Sequence, residues 1–398
     1  MKNLKIFANM ETLDQKAVNQ VYTLLEQEAF KNAKVRIMPD AHPGAGCVIG
    51  FTADLGDKVI PNVVGVDIGC GVLVAELGKV DIDYEKLDNT IKQIIPSGFN
   101  VNTSLSRLEK VSAETTINKI RILRQLRNQD RLINSIASLG GGNHFIEVDK
   151  DEDDNKYLII HTGSRNLGKQ VAKIYQDLAI KKMTSVKEEN KQEVIAKLKA
   201  QGRQKDINNA LKALTPEIKI PKDFAYLEDQ DREDYLHDMR LCQEFAHLNR
   251  TYIMNRICSL MFWTPINVFT SVHNYIDENN IVRKGAISAH KGEQVIIPIN
   301  MQDGCILGRG KGNEDWNNSA PHGAGRLLSR SQARSLLTVE DFKEDMNGIY
   351  TTTANKSTID ESPRAYKSLD DIINFIDDTV SIEKIIKPVY NFKASDEE

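Results

Sequence analysis

Five short segments of the 398-residue chain carry side chains that can hold a metal or act as a nucleophile, each beside glycines or at the end of an apolar run. In VVGVDIGCGV, Asp67 and Cys70 stand three residues apart between Gly65, Gly69 and Gly71. Two donors at that spacing can share a metal, and the glycines permit the tight backbone this requires; a turn with a buried cysteine would look the same. SLGGGNHFIEVD leads three glycines into Asn143, His144 and Glu147, offering an amide, an imidazole and a carboxylate where the backbone can approach a phosphate or a base. YLIIHTGSRNLG delivers His161 to the end of a buried-looking strand, ahead of Gly163, Ser164 and Arg165, and FTSVHNYI brings His273 and Asn274. In NSAPHGAGRLLSRSQAR, small residues after His322 leave room for a bulky group on the imidazole. Arg326 and Arg330, four apart, share one face if the stretch opens a helix and could balance phosphate charge.

Each segment alone has an ordinary structural explanation, as a loop, a satisfied core histidine or a helix start with surface arginines. Together, an Asp-Cys pair, three histidines at separate strand ends, a GGGNH loop and an HGAGR loop are poorly explained as five accidents. The mixed thiolate, imidazole and carboxylate set suits Mn, Zn, Fe or Co, and the thiolate argues against Mg or Ca as the sole ion. One thiolate can serve two metals, so a pair of ions bridged by Cys70 fits the set.

The elements that must position these residues follow from apolar periodicity. Up to about residue 165, short β-branched runs alternate with Gly-rich turns and are expected to be strands bounded by loops. Helical spacing recurs from Val171 to Met183 and from Tyr235 to Leu260, with a polar Lys-, Glu- and Gln-rich stretch between them that is expected to be solvated helix and a Pro-bounded connector. Strands return around PINVFTSVHNYI and GEQVIIPINM, and the polar tail SDEE is expected to fray. With no internal repeat and no clean linker, the expected organisation is one interleaved α/β catalytic domain over 1–398, with a mainly helical polar excursion at about 171–260.

Composition bounds the class. Hydrophobic residues at 40% and charged residues at 27% exclude wholesale disorder. A net charge of -4 means that any nucleic-acid groove must be a local basic patch. The start MKNLKIFANMETLDQ lacks a signal-peptide apolar stretch, and no run of about 18 apolar residues suggests a membrane span, so the expected location is cytoplasmic, with no membrane partner. Five scattered cysteines without a CxxC pair argue against a disulfide framework. Cys47, Cys242 and Cys258 are read as core filler.

At these residues the chain resembles the RtcB family of 3'-phosphate RNA ligases. MPDAHPGAG, GVDIGCG, GGGNHFIE, HTGSRNLG, HNYI, RKGA, HGAGRLLSR and KPVYNFK stand in the family's order. The resemblance implies an RtcB-like fold of central mixed sheets with surrounding helices. It places manganese ligands, two ions per subunit, on Asp67, Cys70, His144, His161 and His273, and a guanylylated nucleophile on His322. Guanosine nucleotide contacts are implied at Asn143, His144, Phe145, Glu147, His273, Asn274, His322, Gly323, Ala324, Gly325 and Lys393, with Glu147 and Lys393 reading the base. The implied reaction consumes GTP and joins RNA 3'-phosphate, or 2',3'-cyclic phosphate, ends to 5'-hydroxyl ends, in RNA repair or tRNA splicing, with a monomer as the default state.

The chain departs from the family pattern in places. Where the family has PGSMGTAS, this sequence runs from Pro298 to Cys305 as PINMQDGC, so that Asn300 and Cys305 stand at the expected nucleotide-contacting serines and Ile299 replaces a glycine. Val282 replaces the histidine of HRKGA, and PDAHPGAG lacks an aromatic. His237, His247 and His290 match no motif and are read as surface or satisfied core residues; His42 matches a family histidine and is given a substrate-side role. Two other readings keep the same residues: a metal phosphoesterase or an enzyme that caps a nucleic-acid 3'-phosphate with guanylate, and a non-catalytic RNA-binding protein.

Overall fold

Strand pairing brings the chemistry-bearing segments to one end of a seven-stranded antiparallel sheet. The computed structural model describes residues 3–184, 188–214 and 221–394; the expected fraying of the last residues lies outside them. In this sheet β11 (Gln294–Asn300), β12 (Gly304–Gly310), β14 (Val380–Lys393), β5 (Phe145–Lys150), β6 (Lys156–Thr162), β4 (Gly71–Gly78) and β7 (Asn267–Val272) run in that order. A second, mixed sheet orders β1 (Leu4–Ile6), β2 (Val35–His42), β3 (Ile49–Asp54), β9 (Ile281–Lys284) and β8 (Asn274–Ile276), with β1 parallel to β2 and the rest antiparallel. A ribbon of β10 (Ala286–Ser288) and β13 (Ser319–Pro321) carries the chain toward His322. This is a mixed α/β fold of sheets with helices around them.

The central strands of the large sheet read as nearly continuous apolar runs because both faces are covered. Along β4, Leu73 and Ala75 enter one core with Ile91, Ile160 and Ile257, while Val72 and Val74 enter another with Ile159, Ile296 and Ile386. A one-residue slip would exchange these two sets, so the packing fixes the register that aligns the strand ends.

The stretch expected to be helical contains helices Arg165–Thr184, Glu188–Ala200, Ile207–Ala213 and Asp229–Met261. The last, 33 residues long, buries Met239, Cys242, Phe245, Ala246, Ile253 and Ile257 on one side and packs on β4 and β6. It stops at Phe262 in the left-handed conformation (φ 59°). None of the described helices is long and apolar enough to cross a membrane.

The strand-and-loop expectation for the first 165 residues needs correcting. Helices Gln15–Leu25, Tyr84–Ile94 and Arg107–Asn118 lie there. Ala17, Val21 and Leu24 recur at helical spacing, and Ser106 with Glu109 forms a reciprocal capping box at the start of the third helix.

Candidate metal centre and active-site cleft

Cys70 immediately precedes β4, His161 lies near the end of β6, His144 immediately precedes β5 and His273 follows β7. Register aligns them: Val72 is opposite His161, Phe145 is opposite His161, and Gly71 is opposite both Thr162 and Val272. Four separate sequence segments therefore meet at one sheet edge. Sγ of Cys70 is 3.5 Å from Nε2 of His144 and 3.4 Å from Nε2 of His161, and the latter is 3.4 Å from Nε2 of His273. Nε2 of His144 lies 3.1 Å from Oδ2 of Asp67. Asp67, Cys70 and His144 form one compact donor group; Cys70, His161 and His273 form another, with the thiol common to both.

The protonation pattern suits a cation. Nδ1 of His161 faces the Asn143 carbonyl at 3.2 Å, so that ring carries its proton there and turns an Nε2 lone pair toward the thiol, while Nδ1 of His144 faces the Leu139 carbonyl at 2.9 Å and its Nε2 faces the Asp67 carboxylate. Burial, and then neighbouring cationic groups, hold His161 and His273 well below the usual histidine range, leaving both neutral. Nδ1 of His273 is buried with no hydrogen-bond partner among the described residues. Burial opposes ionisation of Asp67, but its hydrogen bond to His144 outweighs this and holds the carboxyl at about 2. Burial pushes the Cys70 thiol well up, which keeps a proton on it until a metal displaces it. Lone pairs converging at these distances repel unless a positive charge lies between them, so the donor set fits a metal.

Residues outside the motifs hold this edge in place. Arg250, buried on the long helix, donates to the Gly69 carbonyl at 3.0 Å and the Thr162 carbonyl at 2.7 Å, tying together the ends that carry Cys70 and His161. Its neighbour Asn249 accepts from the Ser138 amide and donates to the Gly163 carbonyl. At Gly163 a Cβ would lie 2.1 Å from Oδ1 of Asp67, so a larger residue would displace that carboxylate.

A cleft of about 1000 Å³ opens beside the donor cluster. Asp67, Cys70, Asn143, Phe145, Glu147, His161, His273, Asn274, Asn300, His322, Gly323, Ala324, Gly325 and Lys393 line it, as do His42, Lys284 and Arg330. His144 lies against Asp67 and Cys70, outside that lining. The His322 ring is 4.8 Å from that of His273. Asp40, wholly buried, takes His322 from two sides: Oδ2 accepts the backbone N–H at 3.1 Å and lies 2.6 Å from Nδ1. The contact fixes the ring's orientation and leaves Nε2 as the nitrogen for chemistry.

Gly325 packs on the backbone of the same residue: at φ 77°, a Cβ would meet the Asp40 carbonyl oxygen at 2.1 Å. Lys367 binds the same two segments together, its ammonium reaching the Pro39 carbonyl at 2.8 Å and its backbone N–H the Gly325 carbonyl at 3.1 Å. Asp40 and Lys367 carry no sequence signal beyond their place in PDAHPGAG and in SPRAYKS.

Several expectations need correction in detail. Arg326 and Arg330 do not share a helix face, because the helix begins at Arg330; they converge instead on buried Glu361, at 3.1 and 3.7 Å. Glu361 also pairs with Lys393 at 3.1 Å, and the Lys393 ammonium donates to the Asn143 carbonyl at 3.0 Å. Burial opposes ionisation of Glu361, but Lys393 and the arginines hold it at about 2. Cys305, expected among the nucleotide contacts, is wholly buried among Ile296, Leu307 and Ile386 and does not face the cleft, because its side of β12 points into the core. Asn300 is occupied in its own turn, accepting from the Gln302 and Asp303 amides and donating to the Asp303 carboxylate. The Asn274 amide bridges the Asp67 carbonyl and the Gly285 N–H, each at 3.1 Å. His237 bonds Asp238 at 3.0 Å, and His247 and His290 are exposed, all outside the cleft lining.

The family model described as "tRNA-splicing ligase RtcB" matches residues 23–394. The RNA-splicing ligase RtcB of Escherichia coli strain K12 is 30% identical over 401 aligned residues, covering 90% of each chain. The tRNA-splicing ligase RtcB of Pyrobaculum aerophilum is 26% identical over 443, covering 88% of this chain and 85% of its own. With the match spanning every segment that builds the donor cluster and the His322 loop, this chain belongs to the RtcB family.

Proposed function

We propose that this chain is a GTP- and manganese-dependent RNA ligase that joins RNA 3'-phosphate or 2',3'-cyclic phosphate ends to 5'-hydroxyl ends through a guanylylated His322. The observation that carries this reading is the placement of His322, oriented by Asp40, with its ring 4.8 Å from that of His273 at the edge of the double donor group. Because donors from Asp67 to His273 and the nucleophile at 322 meet in one cleft, the chain works as one catalytic unit.

In this reading Nε2 of His322 attacks the α-phosphate of GTP; a P–N bond forms and the bond to pyrophosphate breaks. Asp40 stabilises the positive charge that develops on the ring by accepting from Nδ1–H. The guanylyl group then passes to an RNA 3'-phosphate, freeing His322, and a 5'-hydroxyl attacks that activated phosphate and releases GMP. Manganese held by Asp67, Cys70, His144, His161 and His273 would neutralise charge on the reacting phosphates. Arg326, Arg330 and Lys393 give one wall of the cleft the local positive charge that a net charge of -4 does not. Glu147 and Lys393 face the base.

The test is incubation with manganese and α-labelled GTP, followed by RNA bearing a 3'-phosphate and a 5'-hydroxyl. A labelled protein adduct that His322→Ala abolishes is expected, with joined RNA as product. An adduct that survives in His322→Ala would sink the mechanism. One alternative is an enzyme that stops after capping the 3'-phosphate; labelled RNA ends without joined product would establish it. RNA binding with neither adduct nor product would leave a non-catalytic binder.

A further inference from the structure

With a net charge of -4 the protein needs a local basic surface to hold RNA, and in the cleft Arg326, Arg330 and Lys393 all face Glu361. A basic stretch without that opposition lies outside the cleft. Between residues 119 and 131 stand Lys119, Arg121, Arg124, Arg127 and Arg131, with Asp130 as the single acidic residue. All five cations are exposed, and among the described residues only Arg121 has a carboxylate partner, Asp234. Cations gathered on one surface without counter-charges attract a polyanion.

A chain of contacts joins this stretch to the cleft. Arg330, in the cleft lining, packs against Gly142, where a Cβ would come within 3.1 Å of its guanidinium. The glycine loop pairs with the segment ahead of Phe99: Ser97 is bridged to Gly140, and the Gly98 N–H donates to the Gly140 carbonyl at 2.9 Å. Phe99 follows, 62% exposed, and Arg131 donates to its carbonyl. Gln170 holds the backbone of Arg127 from both sides, accepting its N–H at 2.8 Å and donating to its carbonyl at 3.1 Å, so the guanidinium is not used to build the loop. Ser97 and Asn100, on either side of Phe99, line a second cavity of about 1090 Å³ together with Asn102, Thr103 and Ser104. One exposed aromatic ring is ordinary. This one stands between the glycine loop of the cleft and a row of unopposed arginines.

We infer that Phe99, Arg124, Arg127 and Arg131 form a track for the single-stranded RNA that flanks an end held in the cleft. The Phe99 ring offers a stacking face to a base, and the arginines beyond it meet successive phosphates. The amides and hydroxyls of Asn100, Asn102, Thr103 and Ser104 in the adjoining cavity can meet a base edge or a 2'-hydroxyl. Every base has a face to stack, so the track holds a strand without selecting its sequence. The inference deepens the ligase reading and rests on it for the identity of the strand. None of the four residues lines the metal cleft, so the track acts on RNA and not on guanylylation.

The test titrates full-length protein into a fluorescently labelled, unstructured RNA with a 3'-hydroxyl end, which binds without reacting, and reads anisotropy. Phe99→Ala should weaken binding by at least about fivefold, the least that one lost base stack costs, whereas Phe99→Trp keeps a ring and should bind as wild type. Arg124→Gln/Arg127→Gln should flatten the fall of log affinity with log salt by about 0.7 per arginine. All three variants should form the adduct with α-labelled GTP at the wild-type rate. Wild-type affinity in Phe99→Ala, an equal loss in Phe99→Trp, an unchanged salt slope or a parallel loss of the adduct would each overturn the track. Wild-type protein that forms the adduct but binds no RNA would overturn the track and leave the ligase reading standing. Wild-type protein that forms no adduct, yet loses RNA on Phe99→Ala, would support the track and overturn the ligase reading.

Discussion

The Nδ1 atom of His322 lies 2.6 Å from Oδ2 of Asp40, and that same oxygen accepts the His322 backbone N–H. One buried carboxylate thus sets the position, the ring orientation and the tautomer of the candidate nucleophile. It does so from strand β2, 282 residues away in the chain. The predictions below start from that contact and move outward.

Asp40→Asn keeps the shape of the side chain but can offer His322 an N–H in place of an acceptor. That favours the tautomer with its proton on Nε2, which has no lone pair for attack. We expect adduct formation with α-labelled GTP to slow on the order of 10³- to 10⁴-fold, as for the corresponding change in serine-protease triads. A rate within tenfold of wild type would remove Asp40 from the mechanism.

Lys367→Met removes the ammonium that spans from its own segment to the Pro39 carbonyl and stands near Asp40. Loss of a charged hydrogen bond to buried backbone should cost about 1–3 kcal/mol of stability. It should also slow the adduct while leaving bound metal, by elemental analysis, unchanged. Metal loss in parallel would show a general collapse of the cleft instead of a displaced His322.

Glu361→Ala leaves the buried Lys393 ammonium and the largely buried Arg326 guanidinium without their carboxylate. Uncompensated buried charge should destabilise the fold by about 3–5 kcal/mol in denaturant unfolding. Adding Lys393→Met should recover part of that loss. A double variant less stable by the sum of the two single effects would contradict the pairing.

Two donor groups that share one thiol make separable predictions for metal content. Cys70→Ser should lower bound manganese by both ions, whereas His144→Ala and His273→Ala should each remove one, read by elemental analysis after gel filtration. Equal losses in all three variants would replace the bridged pair with a single ion.

Acid stability follows from His42. Burial holds it at about 4, against about 6.5 in an unfolded chain, despite its contact with the Asp40 carbonyl. Between those values the unfolded state binds a proton that the folded state refuses, so the His42 contribution to stability falls as pH drops from about 6.5 and levels off below about 4. Buried His161 and His273 act in the same direction in metal-free protein. Denaturant midpoints measured with chelator across this window should decline, with a shallower slope in His42→Gln. An unchanged slope in that variant would assign the effect to other groups.

The donors were legible because each sits within a residue or two of glycine or at the end of an apolar run. Local chemistry and backbone freedom are written in adjacent letters, so Asp67, Cys70, His144, His161, His273 and His322 could be picked out from their own segments. Position in a motif is less informative about which way a side chain points: Asn300 lines the cleft while it also closes its own turn, and Cys305, five residues on, faces the core.

By itself the sequence determined the apolar strands, the long helix and the residue types able to hold a metal, since these depend on periodicity and side-chain chemistry along a few residues. Only tertiary structure decided that Asp40 would orient His322, that Arg250 would tie two strand ends together, and that Glu361 would gather Arg326, Arg330 and Lys393. Those partners come from distant segments with no glycine signature. They become neighbours because strand register and helix packing close long loops, and a buried charge must find its counter-charge wherever folding places it.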